Sequence, residues 1–490
     1  MTVQPRSNRR AALVILCGDL ADRLDLDAVE ELLAPTPVVV VDGLCRDPGA
    51  VARTLGATGC ERAVVGLCSG DVPTADLLSR ARRAGAEPFG VAPISLAAAA
   101  RASSTADACR TLAAAVARVR ALPAGENGRA ALGRASLSRA SLLSLGGAIS
   151  IEPVAAVEAP ACVGATRCGL CVSACPQQAI VANGTVGIDP NACDACGRCV
   201  PVCPVGAIHL TGAASAQVAA QLAVLLPETE VLVYRCRHAT ISSDDLPAGW
   251  ATIELASLAP VTTGWILQAL AGGARAVRLA PCTRSCCSES AGRVAFSRRV
   301  LAQHEAGDPS RRVALLSTAA DDTAGLDPVP AAAGAVVLEE PRATVEALDR
   351  LAPALETAVV EHEAAPLGLL QLDADGCTLC GSCALVCPTA ALTLDASEAE
   401  VALSHDPRLC TGCSLCVAAC PEHVISMRRG LDGARLAAGE VELARGRRRT
   451  CARCGAELPS DAIVRRVHEL LSTSWLEPES FCPECARRAS

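Results

Sequence analysis

Residues 377–388, CTLCGSCALVCP, and residues 410–421, CTGCSLCVAACP, decide how this chain is read. Each is a Cys-x2-Cys-x2-Cys-x3-Cys-Pro run. Three cysteines at that spacing wrap one face of a cubane iron–sulfur cluster from a single turn of backbone, and the fourth, before proline, reaches the neighbouring cluster. The spacing therefore predicts that Cys377, Cys380, Cys383 and Cys420 hold one [4Fe–4S] cluster. Cys410, Cys413, Cys416 and Cys387 hold its partner.

The same module occurs earlier. Cys193-x2-Cys196-x2-Cys199-x3-Cys203-Pro204 is complete, and its leading half is Cys162-x5-Cys168-x2-Cys171-x3-Cys175-Pro176. The three extra residues after Cys162 bulge a loop without moving the other sulfurs. The expected sets are Cys162, Cys168, Cys171 and Cys203, then Cys193, Cys196, Cys199 and Cys175. Small or apolar residues fill many of the gaps, as a backbone crowded around inorganic sulfur requires.

Composition agrees. The chain has 490 residues and 29 cysteines, against only three Phe, three Trp and one Tyr. The thiols concentrate in the windows 162–203, 377–420 and 451–485, which is a pattern of metal binding rather than of a disulfide framework. The net charge is −8, and the short Arg runs at 447–449 and 487–488 form no basic groove, which argues against nucleic acid as a partner. Arg9-Arg10 precedes an apolar stretch that ends by Leu16, too short for a signal segment. No uninterrupted apolar stretch reaches the roughly 18 residues that span a bilayer. Direct membrane insertion is not expected. Free thiolates survive in a reducing compartment, so a cytoplasmic location is expected.

In the tail, Cys451-x2-Cys454 and Cys482-x2-Cys485 form two knuckles. Four thiolates so arranged suit tetrahedral Zn²⁺, and a mononuclear iron site would use the same ligands. A metal staple would explain how so short a tail folds.

Between the cysteine modules the pattern alternates. Strands are expected at 11–17, 37–42, 62–67 and 88–92, with helices at 26–34, 48–57, 73–84 and 96–121. The second alternating segment predicts helices at 214–225, 264–272, 291–304 and 342–354. Its expected strands are 230–235, 251–255, 276–281, 312–317, 334–338 and 357–361. GLCRDPGAVARTLGATGCERAVVGLCS (43–69) faintly repeats as SLAPVTTGWILQALAGGARAVRLAPCTRS (257–285). The fold class expected is therefore multidomain α/β plus α+β: two small parallel-sheet α/β domains interleaved with two ferredoxin-like dicluster domains and a C-terminal metal knuckle. The expected boundaries are an α/β domain at 1–121, a linker at 122–160 and a dicluster domain at 161–211. A second α/β domain follows at 212–365, then a dicluster domain at 366–428 and the tail at 429–490.

The remaining cysteines sit near expected strand ends, where loops of parallel sheets present ligands. Cys236, Cys282, Cys286 and Cys287 are candidates for an additional iron–sulfur cluster, although Cys286 and Cys287 are adjacent. Cys17, Cys45 and Cys68 occupy equivalent places in the first α/β segment, with Cys60 and Cys109 read as core residues. The histidines His209, His238, His304, His362, His405, His423 and His468 do not cluster, and His238 is the one placed near a cysteine group.

The two cysteine modules resemble the bacterial two-cluster ferredoxin family, in which each domain passes single electrons and performs no bond chemistry. CGDLADRLDLDAVEELL (17–33), GLCRDPGA (43–50) and RAVVGLCS (62–69) resemble the N-terminal region of the flavin-carrying subunit of heterodisulfide reductase. That family has an FAD domain, but this chain has no strand-G-x-G-x-x-G-helix, so flavin chemistry is not carried over. Residues 230–300, with Cys236 and GGARAVRLAPCTRSCC (272–287), resemble the delta subunit of the methyl-viologen-reducing hydrogenase, an iron–sulfur adaptor. Cys282 and Cys286 match its final cysteine pair, and Leu258 or its neighbours stand where that family has another cysteine. The resemblance implies a [2Fe–2S] cluster there. It also implies an electron-transfer subunit of an oxidoreductase complex, whose partners carry flavin, molybdenum, tungsten or nickel, such as formate dehydrogenase or hydrogenase. The alternative is a self-contained reductase using Cys282, Cys286 and Cys287 on a disulfide or other small oxidised substrate.

Overall fold

The computed structural model describes residues 12–69, 74–123, 152–226, 229–247, 249–303, 308–316, 323, 326–327, 329, 335–351, 358–397, 400–447, 449–458, 460–471, 482 and 484–485. Most of the expected linker, and Met1–Ala11, lie outside them.

ALVILC (12–17) and RAVVGL (62–67) are buried at every position. Apolar runs of this kind suit strands covered on both faces by helices. They are the two central strands of a four-stranded parallel sheet, flanked by Val38–Val41 and Val91–Ser95. The order by sequence is 2-1-3-4. Asp25 caps the first crossover helix, Leu26–Leu33, by accepting from the Ala28 N–H at 3.2 Å. The single helix expected over 96–121 is two, Ala97–Arg101 and Thr105–Arg120. The chain breaks where Ser103 turns left-handed (φ 50°), and Ser104 caps the second helix. The fourth strand starts three residues later than expected, because a turn closed by Gly90 N–H on the Glu87 carbonyl occupies 87–90.

Val231–Cys236, Trp250–Leu255, Ala276–Ala280 and Val313–Leu315 form a second parallel sheet with the same 2-1-3-4 order. Cys17 and Cys236 are each the last residue of the first strand. Helices Thr263–Ala271 and Arg342–Leu351 pack so closely that a Cβ on Gly264 would lie 2.6 Å from the Ala343 Cβ. Two expectations change. Residues 335–338 are not in a strand. Val359–Glu361 is a strand, but it pairs antiparallel with Gly430–Asp432, beside the second cysteine module, and not with the parallel sheet.

The cysteine modules are built of short antiparallel pieces. In the first, Ala155–Val157 pairs with Ile208–Leu210, and Ile180–Asn183 forms a hairpin with Thr185–Ile188. In the second, Gly368–Leu372 pairs with Ile425–Arg429, and Leu392–Ala396, Glu400–His405 and Val441–Arg447 form a sheet. One apolar core fills the first α/β unit. Another runs continuously from the second parallel sheet into the first cysteine module, and a third lies within the second module. Among the described residues no helix is long and apolar enough to cross a membrane.

Candidate metal centres

In a parallel sheet of this order the first crossovers turn in opposite directions, opening a crevice at the carboxyl ends of the first and third strands. Both sheets fill that crevice with sulfur. In the first, Cys17 ends its strand, Cys45 comes from the loop after the second and Cys68 follows the third. Their Sγ atoms lie 3.4 Å (Cys17–Cys45), 3.0 Å (Cys45–Cys68) and 3.6 Å (Cys17–Cys68) apart. Asp19 Oδ2 lies 3.8 Å from Cys68, a carboxylate that the cysteine pattern did not single out. Burial raises the Cys45 and Cys68 thiols. Cys109 is a core residue and Cys60 packs against the same core, as expected.

In the second sheet Cys236 ends its strand, and Cys282, Cys286 and Cys287 come from the turn after the third. Despite their adjacency, Cys286 and Cys287 both join the group, because a 3-10 turn over Ser285–Cys287 sets their sulfurs 3.8 Å apart. A hydrogen bond with Cys236 holds the Cys287 thiol down to about 5, whereas burial pushes Cys286 up to about 12. His238 is outside this group, with its ring nitrogen against Arg237 and Arg284.

The tail cysteines Cys451, Cys454, Cys482 and Cys485 also converge, with all four sulfurs within 4.8 Å of one another. The Cys482 backbone N–H draws the Cys451 thiol down to about 6, and a hydrogen bond that Cys485 donates to Cys454, with burial, pushes Cys485 up to about 12. The Arg-rich segment before them is paired, Arg445 with Glu442 and Glu400 and Arg449 with Asp461.

Ferredoxin-type cysteines come together within each module. Cys377, Cys380, Cys383 and Cys420 line one cavity together with Leu372, Leu403, Val424 and Ile425. Burial pushes Cys416 up to about 12, and the thiolates that add to this come first from Cys410, Cys413 and Cys387. For Cys199, pushed up to about 12 by burial, they are Cys193, Cys196 and Cys175. For Cys171, pushed up to about 11, they are Cys203, Cys168 and Cys162.

Local geometry repeats with the sequence. The residue after the second cysteine of the triplet is left-handed in each module half: Gly169, Gly197, Gly381 and Ser414. So is the third residue after each Cys-Pro cysteine: Gln178, Gly206, Ala390 and His423. Backbone N–H groups point at sulfur, those after the turns at Gln178 and Gly206 among them. Ala179 donates to Cys175 (3.3 Å), Ala207 to Cys203 (3.2 Å), Ala155 to Cys193 (3.5 Å) and Leu379 to Cys377 (3.4 Å). Such donors stabilise the charge of a thiolate-ligated cluster and tune its potential. Apolar walls, convergent thiols and N–H donors together fit a cubane.

The modules also touch one another. Arg167 donates to the Leu385 carbonyl at 2.8 Å, and Cys168, raised first by burial, is raised further by thiolates that include Cys413. Within the second module Cys383 raises Cys416. Ser257 Oγ donates to the Cys196 carbonyl at 2.7 Å from the second parallel sheet, and Ser460 Oγ donates to the Thr378 carbonyl at 2.9 Å from the tail.

Residues 161–210 and 376–424 match a family model described as 4Fe-4S dicluster domain, and residues 402–456 match a second model of the same description. The two dicluster ferredoxin domains imply several [4Fe–4S] clusters. No curated protein matches the chain.

Proposed function

We propose that the chain is an iron–sulfur electron-transfer subunit of a cytoplasmic oxidoreductase complex. In this reading it relays single electrons between a catalytic partner, such as a formate dehydrogenase or hydrogenase, and an acceptor protein. When bound, a [4Fe–4S] cluster supplies a one-electron centre of tunable potential. Four such clusters would be held by the sets Cys162/Cys168/Cys171/Cys203, Cys193/Cys196/Cys199/Cys175, Cys377/Cys380/Cys383/Cys420 and Cys410/Cys413/Cys416/Cys387. The tail quartet would hold Zn²⁺.

The observation that carries the reading is the contact between the two modules, where Arg167, beside Cys168, donates to the carbonyl of Leu385, which lies between Cys383 and Cys387. Two independent carriers would have no reason to face each other. Together with the contacts at Ser257 and Ser460, it supports a path from the Cys196 set to the Cys168 set, on to the Cys413 set and then to the Cys377 set beside the tail. A relay of this form needs partners at its ends.

The test is metal and acid-labile sulfide content of the anaerobically purified complex. About 16 iron and 16 sulfide in cubane clusters are expected per chain, with zinc in the tail. Iron far below that number in intact, freshly isolated complex would sink the relay.

A further inference from the structure

The [2Fe–2S] cluster implied by the hydrogenase delta-subunit resemblance does not fit the sulfurs at the end of the second parallel sheet. A two-iron cluster needs two pairs of thiolates held apart on opposite sides of the bridging sulfides. Here Cys282 Sγ lies 3.5 Å from Cys286 and 3.5 Å from Cys287, and those two are 3.8 Å apart. Cys236 completes a group whose four sulfurs all lie within 4.8 Å of one another. Four thiolates around a single ion, at a metal–sulfur bond of about 2.3 Å, form a tetrahedron with edges of about 3.8 Å.

The chain supplies its own contrast. Among the described residues, none of the sixteen ferredoxin-type cysteines belongs to a group this tight, whereas the tail quartet does. We infer that Cys236, Cys282, Cys286 and Cys287 form a mononuclear tetrathiolate site for one soft divalent ion, iron or zinc.

The surroundings suit that charge. Four thiolates and a dication leave two negative charges, which buried sulfur tolerates only with donors aimed at it. The Arg284 N–H donates to Cys282 Sγ (3.4 Å), and the backbones of His238, at Cys236, and of Leu258 and Cys282, at Cys287, favour the thiolate form. Leu258, where the related family has a cysteine, thus serves the site through its backbone. Arg293 fixes that loop by donating to the carbonyls of Leu258, Ala259 and Val261.

The site also joins the ferredoxin module by a short path. The Leu258 backbone lowers the Cys287 thiol, Ser257 precedes Leu258 in the chain, and Ser257 Oγ donates to the Cys196 carbonyl. Arg198, two residues on, donates to Ser288 Oγ (3.0 Å). Iron here would add a one-electron station beside the Cys196 set, whereas zinc would fix the junction.

The assay is iron, zinc and sulfide per full-length chain, purified anaerobically, for the wild type and for Cys286→Ser. Clusters of either size carry iron and sulfide in equal number, so the excess of metal over sulfide counts single ions. Cys286→Ser is expected to lower that excess by one, with sulfide unchanged; loss of iron identifies a redox ion and loss of zinc a structural one. Loss of two iron with two sulfide, or of no metal, would overturn the inference. If Cys286→Ser fails to fold, the wild type decides: an excess of at least two, for this site and the tail, supports the inference, and one or none defeats it. The cubane count is read independently from sulfide at about 16 per chain, so failure of the relay and failure of this site give different results.

Discussion

His405 is 1% exposed, and neither of its ring nitrogens has a hydrogen-bond partner. Burial, with the Arg435 guanidinium nearby, lowers its pKa to about 4 from an ordinary 6.5, while Asp406 opposes the shift. As pH falls below 6.5 the unfolded chain takes up a proton that the folded chain refuses until about 4. Folded stability is therefore lost across that window, by about 2–3 kcal/mol at its acid end. His405→Leu removes both the unpaired nitrogens and the titration. In unfolding titrations at pH 7 and pH 4.5 the variant should lose less stability than the wild type on acidification. Equal losses would show that His405 does not titrate in this way. The residue scale is also where spacing spoke most clearly, since a left-handed turn after each second triplet cysteine is required by the wrap itself. Glycine occupies three of those four positions, and Ser414 takes the fourth at φ 61°.

Among elements, the loops at the carboxyl ends of the parallel strands carry the chemistry, and they are held from behind. Arg293, 5% exposed, gives its guanidinium to three carbonyls of the 258–261 loop and pairs with Glu289 at 2.6 Å. Replacing it by Met leaves three buried acceptors without a donor, at a cost of about 3 kcal/mol. Arg293→Met should unfold at lower denaturant concentration and lose the single ion near Cys287 faster to a chelator, with cubane absorption initially intact. Unchanged ion loss would mean that the loop does not depend on Arg293. Periodicity located most helices and strands to within a few residues. It missed the break at Ser103 because the Ala-rich runs on either side read as one helix, although Ser103-Ser104-Thr105 followed by Asp107 carried the cap signal of a second one. It could not say which sheet Val359–Glu361 joins, because a three-residue strand carries no mark of its partner.

At the scale of the whole molecule, the first α/β unit docks through Thr105–Arg120 against Ser215–Leu225. Arg118 crosses this contact, donating to the carbonyls of Gly212 (2.8 Å) and Glu254 (3.3 Å) and to Gln221 (3.3 Å). Arg118→Met should weaken the docking by about 2 kcal/mol. Calorimetry should then show the first unit unfolding at a lower temperature than in the wild type, while the iron–sulfur absorption persists to the wild-type temperature. A single shift of both signals together would mean that the units unfold as one.

The sequence by itself determined the two cysteine modules and the parallel-sheet segments that lie between them. Cluster wrapping is a local requirement, and the spacing of cysteine, glycine and proline records it directly. Only the tertiary structure decided that Cys286 joins Cys287 in one group, that Asp19 lies beside the Cys17 triad and that Arg167 reaches Leu385 across the two modules. These juxtapositions depend on how strands order themselves in a sheet and how modules dock. Both are set by burial of apolar faces far apart in the chain, which no local spacing encodes.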